Sequence, residues 1–285
     1  MAEPGALRIG ELSRRSGVSP ELLRAWERRY GLLRPDRSAG GLRLYSDADL
    51  VRVQAMQRNL AEGFAAAEAA ALALRPVRQE TASSDAGRDE LAAALARFDD
   101  GAANTAFDEL LARFSLDTVL RDVVVAYLQE LGDGWERGDI SIAQEHFASS
   151  MLRGRLLGLA RGWGQGIGRT AVLACAPGEH HELGLLAFGL ALRSRGWRIV
   201  YLGTDTPISS VADAARSCDP AFVVVSAVDA RSVDHHRGEL EQLAREFRLC
   251  LGGAGASTTS REIDALRLVG NPVDEADRLT QLALR

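Results

Sequence analysis

The pattern of apolar and polar positions changes twice along the chain, and each change marks a new kind of structure. Residues 1–75 contain short amphipathic stretches separated by turn residues, which predict small helices and two short strands. Residues 89–165 carry apolar side chains at helical spacing in four runs, which predict a four-helix bundle. From Arg169 onward, short apolar runs alternate with amphipathic stretches. This alternation is typical of a doubly wound, parallel α/β sheet.

The segment between the first two regions resembles neither of them. Residues 76–88, PVRQETASSDAGR, contain almost no large apolar side chains, so we expect a flexible linker. The chain is therefore predicted to be a multidomain protein with four parts: a module of small helices and strands over 1–75, the linker 76–88, a four-helix bundle over 89–165 and a Rossmann-like α/β domain over 166–285. Ligands of such α/β domains bind where the strands end, so candidate residues are sought there.

Charge is distributed unevenly over these parts. Residues 1–75 contain 12 arginines and 9 acidic residues, whereas the rest of the chain contains 22 arginines and 30 acidic residues. A basic module joined to an acidic body suggests that the first part meets a polyanion. The start of the chain lacks the apolar core of a signal peptide, and no apolar run is long enough to span a bilayer. We therefore expect a cytoplasmic protein with no membrane partner, and its three cysteines are expected to be buried.

The first module has the order of elements of a winged helix-turn-helix. An amphipathic stretch over residues 9–16 is followed by a turn, and Ser19 and Pro20 then begin a second helix in the positions typical of a cap and a first residue. Gly40 and Gly41 lie between two short strands and predict the turn of a β-wing. An isolated charge cluster is usually a solvated face, but the ordered set of helix, turn, helix and wing favours DNA binding.

Arginines of the second helix and the wing are the candidate DNA contacts. Arg24 and Arg28 lie four residues apart and therefore share a helical face. The candidate DNA-binding residues are Arg24, Arg28, Arg29, Tyr30, Arg37, Arg43 and Tyr45. The stretches LRAWERRYGLL and GLRLYSDADL resemble the winged-helix domain of the MerR family. That resemblance implies that the second helix enters the major groove, that the wing follows the backbone of operator DNA, and that the chain self-associates.

A tryptophan and a Glu-His pair stand on either side of a predicted turn in the bundle. Trp135 is near the end of one helix, and Glu145 and His146 are on the next. One hypothesis makes Trp135 a core residue and the pair an exposed polar surface. The other makes them the cover of a flat ligand, with the indole providing apolar contact. The expected N-caps of the last two bundle helices are Ser115 and either Asp139 or Ser141.

The loop GEHHELG, residues 178–184, follows the first strand of the predicted sheet and contains two of the chain's five histidines. A polar loop without function is one hypothesis. A zinc site is disfavoured, because it needs three or four ligands and the next histidines, His235 and His236, are expected on a later helix. The third hypothesis is a single axial ligand to a metal already held in a macrocycle, with Glu179 fixing the tautomer of His181.

Three further sequence features favour the third hypothesis. The pattern Glu179-x-His181-x-x-Gly184 resembles the signature of cobalamin-binding domains, which usually begins with Asp. SAV, LGG and YLGTDTP, at the ends of later strands, are similar to other loops of that family, with Val228 in place of the usual Leu. The resemblance implies that His181 is the lower axial cobalt ligand, that Ser226 bonds the buried base, that Gly252 and Gly253 leave room for the nucleotide arm, that Gly203 lies near it, and that Gly184 lets the following helix pack closely.

Over essentially its whole length the chain resembles the CarH family of light-dependent transcriptional repressors. The resemblance implies adenosylcobalamin as cofactor and chromophore, a tetramer on operator DNA in the dark, and release when light breaks the cobalt–carbon bond. Trp135, Glu145 and His146 match the residues that cover the upper face, and Ile142 lies with them. The implied cofactor-binding residues are Trp135, Ile142, Glu145, His146, Glu179, His181, Gly184, Gly203, Ser226, Val228, Gly252 and Gly253.

One position departs from the light-sensing members of that family. They have a histidine directly after the tryptophan, which binds cobalt after photolysis, whereas this chain has Glu136. A corrinoid-sensing regulator insensitive to light therefore stays open as an alternative. So do a regulator with a dispensable site that acts through protein partners, and a corrinoid carrier for methyl transfer. A carrier has no need of a DNA-binding module, and nothing in the motifs predicts an enzyme.

Overall fold

The computed structural model describes residues 7–37, 41–61, 64–74, 77–165, 168–258 and 263–283. The chain forms two compact units, Met1–Glu80 and Thr81–Arg285. Each unit has its own hydrophobic core. Within the described residues, no helix combines the length and apolarity that crossing a bilayer would require.

The first unit confirms the winged helix-turn-helix. Its elements are α1 (Ile9–Ser16), α2 (Pro20–Tyr30), β1 (Asp36–Arg37), β2 (Arg43–Leu44), α3 (Asp47–Ala61) and α4 (Ala66–Ala73). Gly17 ends α1 in the left-handed region, with φ of 72°, and the Ser19 hydroxyl accepts a hydrogen bond from the Leu22 N–H at 3.3 Å. β1 and β2 pair in antiparallel fashion as the wing. Of the two predicted turn glycines, Gly40 lies outside the described residues and Gly41 has a φ of 76°.

A buried carboxylate joins the helices of this unit to the wing. Asp49, near the start of α3, is fully buried. It accepts hydrogen bonds from the backbone N–H groups of Arg34 at 3.0 Å and Ser46 at 2.8 Å, and it pairs with the Arg52 guanidinium at 2.5 Å. Burial raises the pKa of Asp49, but these hydrogen bonds outweigh burial and leave the pKa below its ordinary value. The ionised carboxylate therefore stabilises the loop between α2 and the wing.

The four-helix bundle follows along the chain, and its first helix begins just before the boundary between the two units. Its helices are α5 (Val77–Ala96), α6 (Asp100–Arg113), α7 (Leu116–Thr118) continuing through a π-helical stretch (Val119–Val125) into α8 (Ala126–Arg137), and α9 (Ile142–Leu159). Ser115 caps α7, as predicted. Of the two alternatives for the last helix, Ser141 is the cap, and it forms a capping box with Gln144.

The prediction of a flexible linker over residues 76–88 is wrong for the part that the structure describes. α5 begins at Val77 and runs through this segment. The Ser84 side chain is fully buried, and Arg88 donates a hydrogen bond to the Asp122 carbonyl at 3.3 Å. Alanine, glutamine and glutamate are good helix formers, so contacts with the bundle suffice to extend α5 without large apolar residues.

The α/β part confirms the predicted doubly wound sheet. Its elements are β3 (Thr170–Cys175), α10 (Leu183–Ser194), β4 (Arg198–Gly203), α11 (Ile208–Cys218), β5 (Phe222–Ser226), α12 (Ala230–His235), α13 (Arg237–Glu246), β6 (Leu249–Gly252), α14 (Gly255–Thr258), β7 (Leu266–Leu268) and α15 (Pro272–Ala283). The strands lie in the order β4-β3-β5-β6-β7, and all neighbours are parallel. The single helix expected around His236 is two helices, α12 and α13, that meet there.

Register in this sheet brings three loops to one edge. Ser226, the last residue of β5, pairs with Cys175 at the end of β3 and with Gly252 at the end of β6. Carboxyl ends of parallel strands share an edge, so the segments that follow these residues lie side by side. They include the GEHHELG loop and the Gly252-Gly253 pair.

Candidate functional site

Three of the arginines predicted to contact DNA lie on the exposed face of α2. Arg24, Arg28 and Arg29 are all exposed, as a groove-reading helix requires. Tyr30 is partly buried, and the Arg29 guanidinium lies 5.8 Å from the centre of its ring. Arg37 is in β1, but its side chain lies outside the described residues. Contact of these side chains with DNA stays a prediction.

Among the described side chains of that set, the assignment of Tyr45 is wrong. Its side chain is fully buried in the core of the first unit, so it cannot reach DNA. The Tyr45 hydroxyl donates to Glu27 at 2.9 Å, and the same carboxylate accepts from the Arg43 Nε at 3.0 Å. Burial, with the bond to Glu27, raises the pKa of Tyr45 to about 12. Sequence reasoning missed Glu27, which ties α2 to the wing, because only the fold brings residues 27 and 45 together.

The cofactor side of the molecule centres on Glu179 and His181. Glu179 is buried, whereas the His181 side chain is exposed. One carboxylate oxygen lies 2.6 Å from His181 Nδ1 and also accepts the His181 backbone N–H at 2.8 Å. The other oxygen accepts the backbone N–H of Val228 at 2.6 Å. Glu179 thus connects the loops that follow β3 and β5, and it holds the imidazole by its Nδ1.

The protonation states of this pair determine which atom is free to bind a metal. Burial raises the pKa of Glu179, but the hydrogen bonds from His181 and Val228 outweigh it and hold the pKa at about 2. An ionised carboxylate only accepts hydrogen bonds, so Nδ1 of His181 must donate. The same bond raises the pKa of His181. In the neutral imidazole the remaining lone pair is on Nε2, on an exposed ring, which is the arrangement of a metal-binding histidine with a carboxylate partner.

The sheet edge beside this pair has little bulk. Ser226 is buried, and Val228 is exposed. Gly253 has a φ of 84°, and a Cβ there would lie 2.3 Å from the Ala227 carbonyl oxygen, so only glycine is accommodated. Gly252 has no such close neighbour: a Cβ would lie 3.8 Å from the nearest atom, the Leu268 carbonyl oxygen. Gly203 ends β4 with a φ of 88°.

The close packing expected at Gly184 is not found. Gly184 is the second residue of α10, and a Cβ built there meets no atom of the described residues within 4 Å. Gly184 therefore does not bring α10 close to His181.

The bundle presents its candidate residues outward rather than burying them. Trp135, on α8, is 56% exposed and Ile142, at the start of α9, is 66% exposed, so the hypothesis that Trp135 belongs to the core is wrong. Glu145 accepts a hydrogen bond from the Ser149 hydroxyl at 2.7 Å, and its other oxygen lies 3.5 Å from Nε2 of the exposed His146. Large exposed apolar side chains suggest a surface that a ligand or another chain covers.

Electrostatics relate Glu145 to the histidine loop. Its negative charge contributes to the raised pKa of His181. The contact between α9 and this loop is made by Arg153, which pairs with Glu182.

Sequence reasoning missed Glu182, the residue after His181. Its side chain is buried, and it accepts hydrogen bonds from the Arg153 Nε of α9 and from the Tyr201 hydroxyl of β4. Burial, together with the bond to Glu182, raises the pKa of Tyr201. A second acidic residue in GEHHELG was the available signal, but its partners are 29 and 19 positions away in sequence.

This donor set suits one kind of metal group. Among the residues that the structure describes, no three His, Cys, Asp or Glu side chains are grouped as ligands of a bare ion. His235 and His236 contact each other edge to face, and His236 lies 3.0 Å from Glu239. A single imidazole with a fixed tautomer and a free Nε2 is sufficient for a metal whose other bonds come from a macrocycle. The site therefore fits a corrinoid.

Comparison with known proteins finds three family models that match successive parts of the chain. Residues 7–75 match the model of the MerR HTH family regulatory proteins. Residues 88–157 and 169–274 match two models that are each described as a B12 binding domain. The structure of a monomethylamine corrinoid protein from Methanosarcina barkeri covers 70% of this chain and 99% of its own, with a TM-score of 0.58 and 19% identity. That likeness shows a shared fold.

Two curated relatives extend over nearly the whole chain. The HTH-type transcriptional repressor CarH of Myxococcus xanthus is 36% identical over 266 residues, which is 87% of this chain and 89% of that protein. The repressor CarA of the same organism is 31% identical over 266 residues, 91% of each chain. Fold, site and domain matches define a DNA-binding, cobalamin-binding regulator of transcription rather than an enzyme. The chain belongs to the family of HTH-type transcriptional repressors that includes CarH and CarA.

Proposed function

We propose that this regulator is an adenosylcobalamin-dependent photoreceptor that represses transcription in the dark as a tetramer on operator DNA and leaves the operator in light. The observation that carries the proposal is the Glu179–His181 pair, which offers one imidazole held by a carboxylate through Nδ1 and exposed for ligation through Nε2. DNA binding is assigned to residues 1–75, cover of the cofactor to 89–165 and cofactor binding to 166–285. When bound, the cofactor supplies a cobalt–carbon bond that visible light breaks.

The lower side of the proposed site belongs to the sheet edge. His181 would bind cobalt through Nε2 while Glu179 keeps Nδ1 protonated and the ring oriented. Beside it, Ser226 would bond the buried base, and Gly252 and Gly253 would leave room for the nucleotide arm. Val228 would contact that arm from the neighbouring loop, and Gly203 would lie close to it.

The upper side belongs to the bundle. Trp135 and Ile142 would cover the upper substituent with apolar surface, and Glu145 and His146 would bond its hydroxyl groups. Loss of that substituent in light would remove the contacts that hold these exposed side chains in place. The bundle would then shift and weaken the assembly.

Assembly controls repression through the number of DNA contacts. Each chain carries one winged unit, and DNA affinity rises steeply with the number of phosphates engaged together. A tetramer holds several winged units at a high effective concentration near the operator. Its dissociation would release the operator without any catalytic step by the protein.

The test is size-exclusion chromatography of the full chain with adenosylcobalamin, kept dark and then exposed to green light, with absorbance recorded at visible wavelengths. We expect the cofactor to elute with a large species that becomes smaller after illumination. The protein without cofactor, and the protein with hydroxocobalamin, are the controls and should elute as the smaller species. An unchanged elution volume after complete photolysis would refute light control.

A second candidate, a light-independent corrinoid-sensing repressor, is favoured by one residue. Glu136 stands on the exposed end of α8, where light-sensing relatives have a histidine, so the same two-histidine product cannot form from this position. This candidate predicts that cobalamin binds and that oligomer size depends on cofactor but ignores light. In that outcome E136H is the first variant to examine.

A further inference from the structure

One face of α9 carries a line of polar residues toward the histidine loop. Glu145, Ser149 and Arg153 are spaced four residues apart, so they lie on the same face of the helix. The Ser149 hydroxyl bonds Glu145 at 2.7 Å. At one end of the line Arg153 pairs with Glu182 of the GEHHELG loop. Glu145 and its neighbour His146 are at the other end, so the line joins this loop to residues that are proposed to cover the cofactor.

Glu182 is held more firmly than a surface ion-pair partner. Its carboxylate is buried, with only 6% of the side chain exposed, and each oxygen has a partner, Arg153 Nε for one and the Tyr201 hydroxyl for the other. Tyr201 belongs to β4, so Glu182 is bonded to the sheet on one side and to helix α9 on the other. A buried carboxylate that loses its cationic partner is strongly disfavoured, which makes this pair a stable link between two layers.

The ion pair between Arg153 and Glu182 lies next to the proposed cofactor site. The backbone of Glu182 is continuous with that of His181, and Arg153 is two turns along α9 from Glu145 and His146. The distance from α9 to the sheet edge at Glu182 therefore sets the distance from Glu145 and His146 to the proposed axial ligand, His181. That separation is the space in which a corrin ring and its upper substituent must fit.

We propose that Arg153 and Glu182 are positioning residues that hold α9 at the separation suited to a bulky upper substituent on the corrinoid. The inference rests on the proposed function and adds to it the origin of selectivity among corrinoids. Neither residue touches the cobalt. With the link in place, adenosylcobalamin gains contacts with the cap that hydroxocobalamin, which has a small upper ligand, does not use. Without the link, the distance between α9 and the sheet edge is no longer fixed, and the preference for adenosylcobalamin over hydroxocobalamin falls.

The chain offers a matched control on the same helix. Arg155 is two residues from Arg153 and also pairs with a carboxylate, that of Asp108, but it bonds toward α6, and its guanidinium lies 5.0 Å from the ring centre of Phe107. R153M and R155M therefore make the same chemical change on two faces of α9. E182Q is the second variant, since it removes the charge but keeps an acceptor for the Tyr201 hydroxyl.

The experiment measures dissociation constants for adenosylcobalamin and hydroxocobalamin in the dark, together with the visible spectrum of bound hydroxocobalamin. We expect R153M and E182Q to lower the preference for adenosylcobalamin by about tenfold, a usual size for coupling between two sites. The spectrum of histidine-bound hydroxocobalamin should not change, because Glu179 still orients His181. R155M should change the preference by less than about twofold, as for a substitution away from the site.

The double variant R153M/E182Q separates positioning from general damage. If the two residues act as one link, the double variant should lose no more preference than either single variant. An unchanged preference in both R153M and E182Q, or an equal loss of affinity for both corrinoids, would overturn the inference and leave the proposed function intact. A wild-type chain that binds neither corrinoid would instead overturn the proposed function, and the inference with it.

Discussion

Glu179 bonds the side chain of His181 and the backbone of Val228, which lie on two different loops at the edge of the sheet. It stands where cobalamin-binding domains usually have Asp, and its longer side chain still reaches His181 Nδ1 at 2.6 Å and the Val228 N–H at 2.6 Å. The extra methylene is accommodated because both partners lie on loops at the strand ends. The identity of the axial ligand is therefore a question about single residues, and single substitutions test it.

H181A should abolish axial ligation from the protein. We expect bound hydroxocobalamin to lose the visible spectrum of a histidine-ligated corrinoid, because the substitution removes the imidazole that offers Nε2. E179Q should retain the histidine but weaken cobalamin binding by about 10- to 100-fold, the usual cost of removing a carboxylate partner. H180A, which changes the exposed neighbour, is the control. Equal spectra for H181A and wild type would contradict the assignment.

G253A tests whether the sheet edge depends on a residue without a side chain. The φ of 84° costs about 1–2 kcal/mol for any other residue, and the added Cβ would collide with the Ala227 carbonyl oxygen. We expect a lower free energy of unfolding by at least about 2 kcal/mol, measured by urea denaturation. G238A, in α13, has an ordinary φ and open space around it, and it should not destabilise the protein.

At the scale of elements, two acidic residues hold the helices and the wing of the first unit together, and the hydrophobic pattern of the sequence does not predict this role. Glu27 joins α2 to the wing through Tyr45 and Arg43. Asp49 joins the start of α3 to the backbone at Arg34 and Ser46. These bonds hold α2 and the wing in a fixed relation, which leaves the exposed arginines of α2 free for DNA.

R28A/R29A should remove DNA binding and leave assembly unaffected. We expect operator affinity to fall by roughly 2 kcal/mol or more, and the salt dependence of binding to become shallower by about one unit for each lost phosphate contact. A double variant of equal charge in the second unit, R113A/R245A, is the control, and size-exclusion chromatography checks the oligomeric state. Unchanged DNA affinity at low salt would show that α2 is not the DNA-binding helix.

Acid should weaken the winged unit through Asp49. Its pKa is lowered in the folded state, so its ionised form stabilises the fold at any pH above the unfolded value of about 3.9. This contribution disappears as the pH falls through the lower, folded pKa. Hydrogen exchange of peptides from residues 41–61, measured in a urea series between about pH 6 and pH 3, reports it.

D49N is the matched variant for that experiment. It should be less stable than wild type near neutral pH by about 1–3 kcal/mol, because buried N–H donors lose an ionised acceptor. Its stability should also fall less on acidification, since residue 49 no longer titrates. A parallel loss of stability in the two proteins would show that other carboxylates dominate acid unfolding.

At the scale of the whole molecule, the residues predicted to cover the cofactor and those predicted to contact DNA belong to different units of one chain. Trp135 and Ile142 are large and exposed, so their cover by cofactor and partner chains is the expected source of assembly. The arginines predicted to contact DNA are in the other unit. A signal at the cofactor can therefore act on DNA through the number of chains held together.

W135A should separate cofactor binding from assembly. We expect cobalamin still to bind, because His181 is unchanged, and the dark tetramer to dissociate at protein concentrations at which wild type remains assembled. L159A, which removes exposed apolar surface at the far end of α9, is the control. Dark tetramers of normal stability in W135A would show that the bundle does not sense the upper face of the cofactor.

The elements of this protein could be predicted from the sequence because their signals are local. Helical spacing in the bundle, alternating strands and helices after Arg169, and the Ser19 and Ser141 caps all depend on residues within a few positions of one another. The GEHHELG loop was also recognisable, since Glu179 and His181 are two residues apart. In these cases the physical cause lies within a short stretch of chain.

Tertiary structure alone decided the rest. Ser84 and Arg88 pack in the bundle and turn a polar segment into α5, Tyr45 is buried against a carboxylate 18 positions earlier, and Trp135 faces outward although its residue type is usually buried. Glu182 acquires partners on α9 and β4. Burial and ion pairing depend on which distant segments meet. The chemistry of single loops was therefore determined by the sequence, whereas the coupling between layers was determined by the fold.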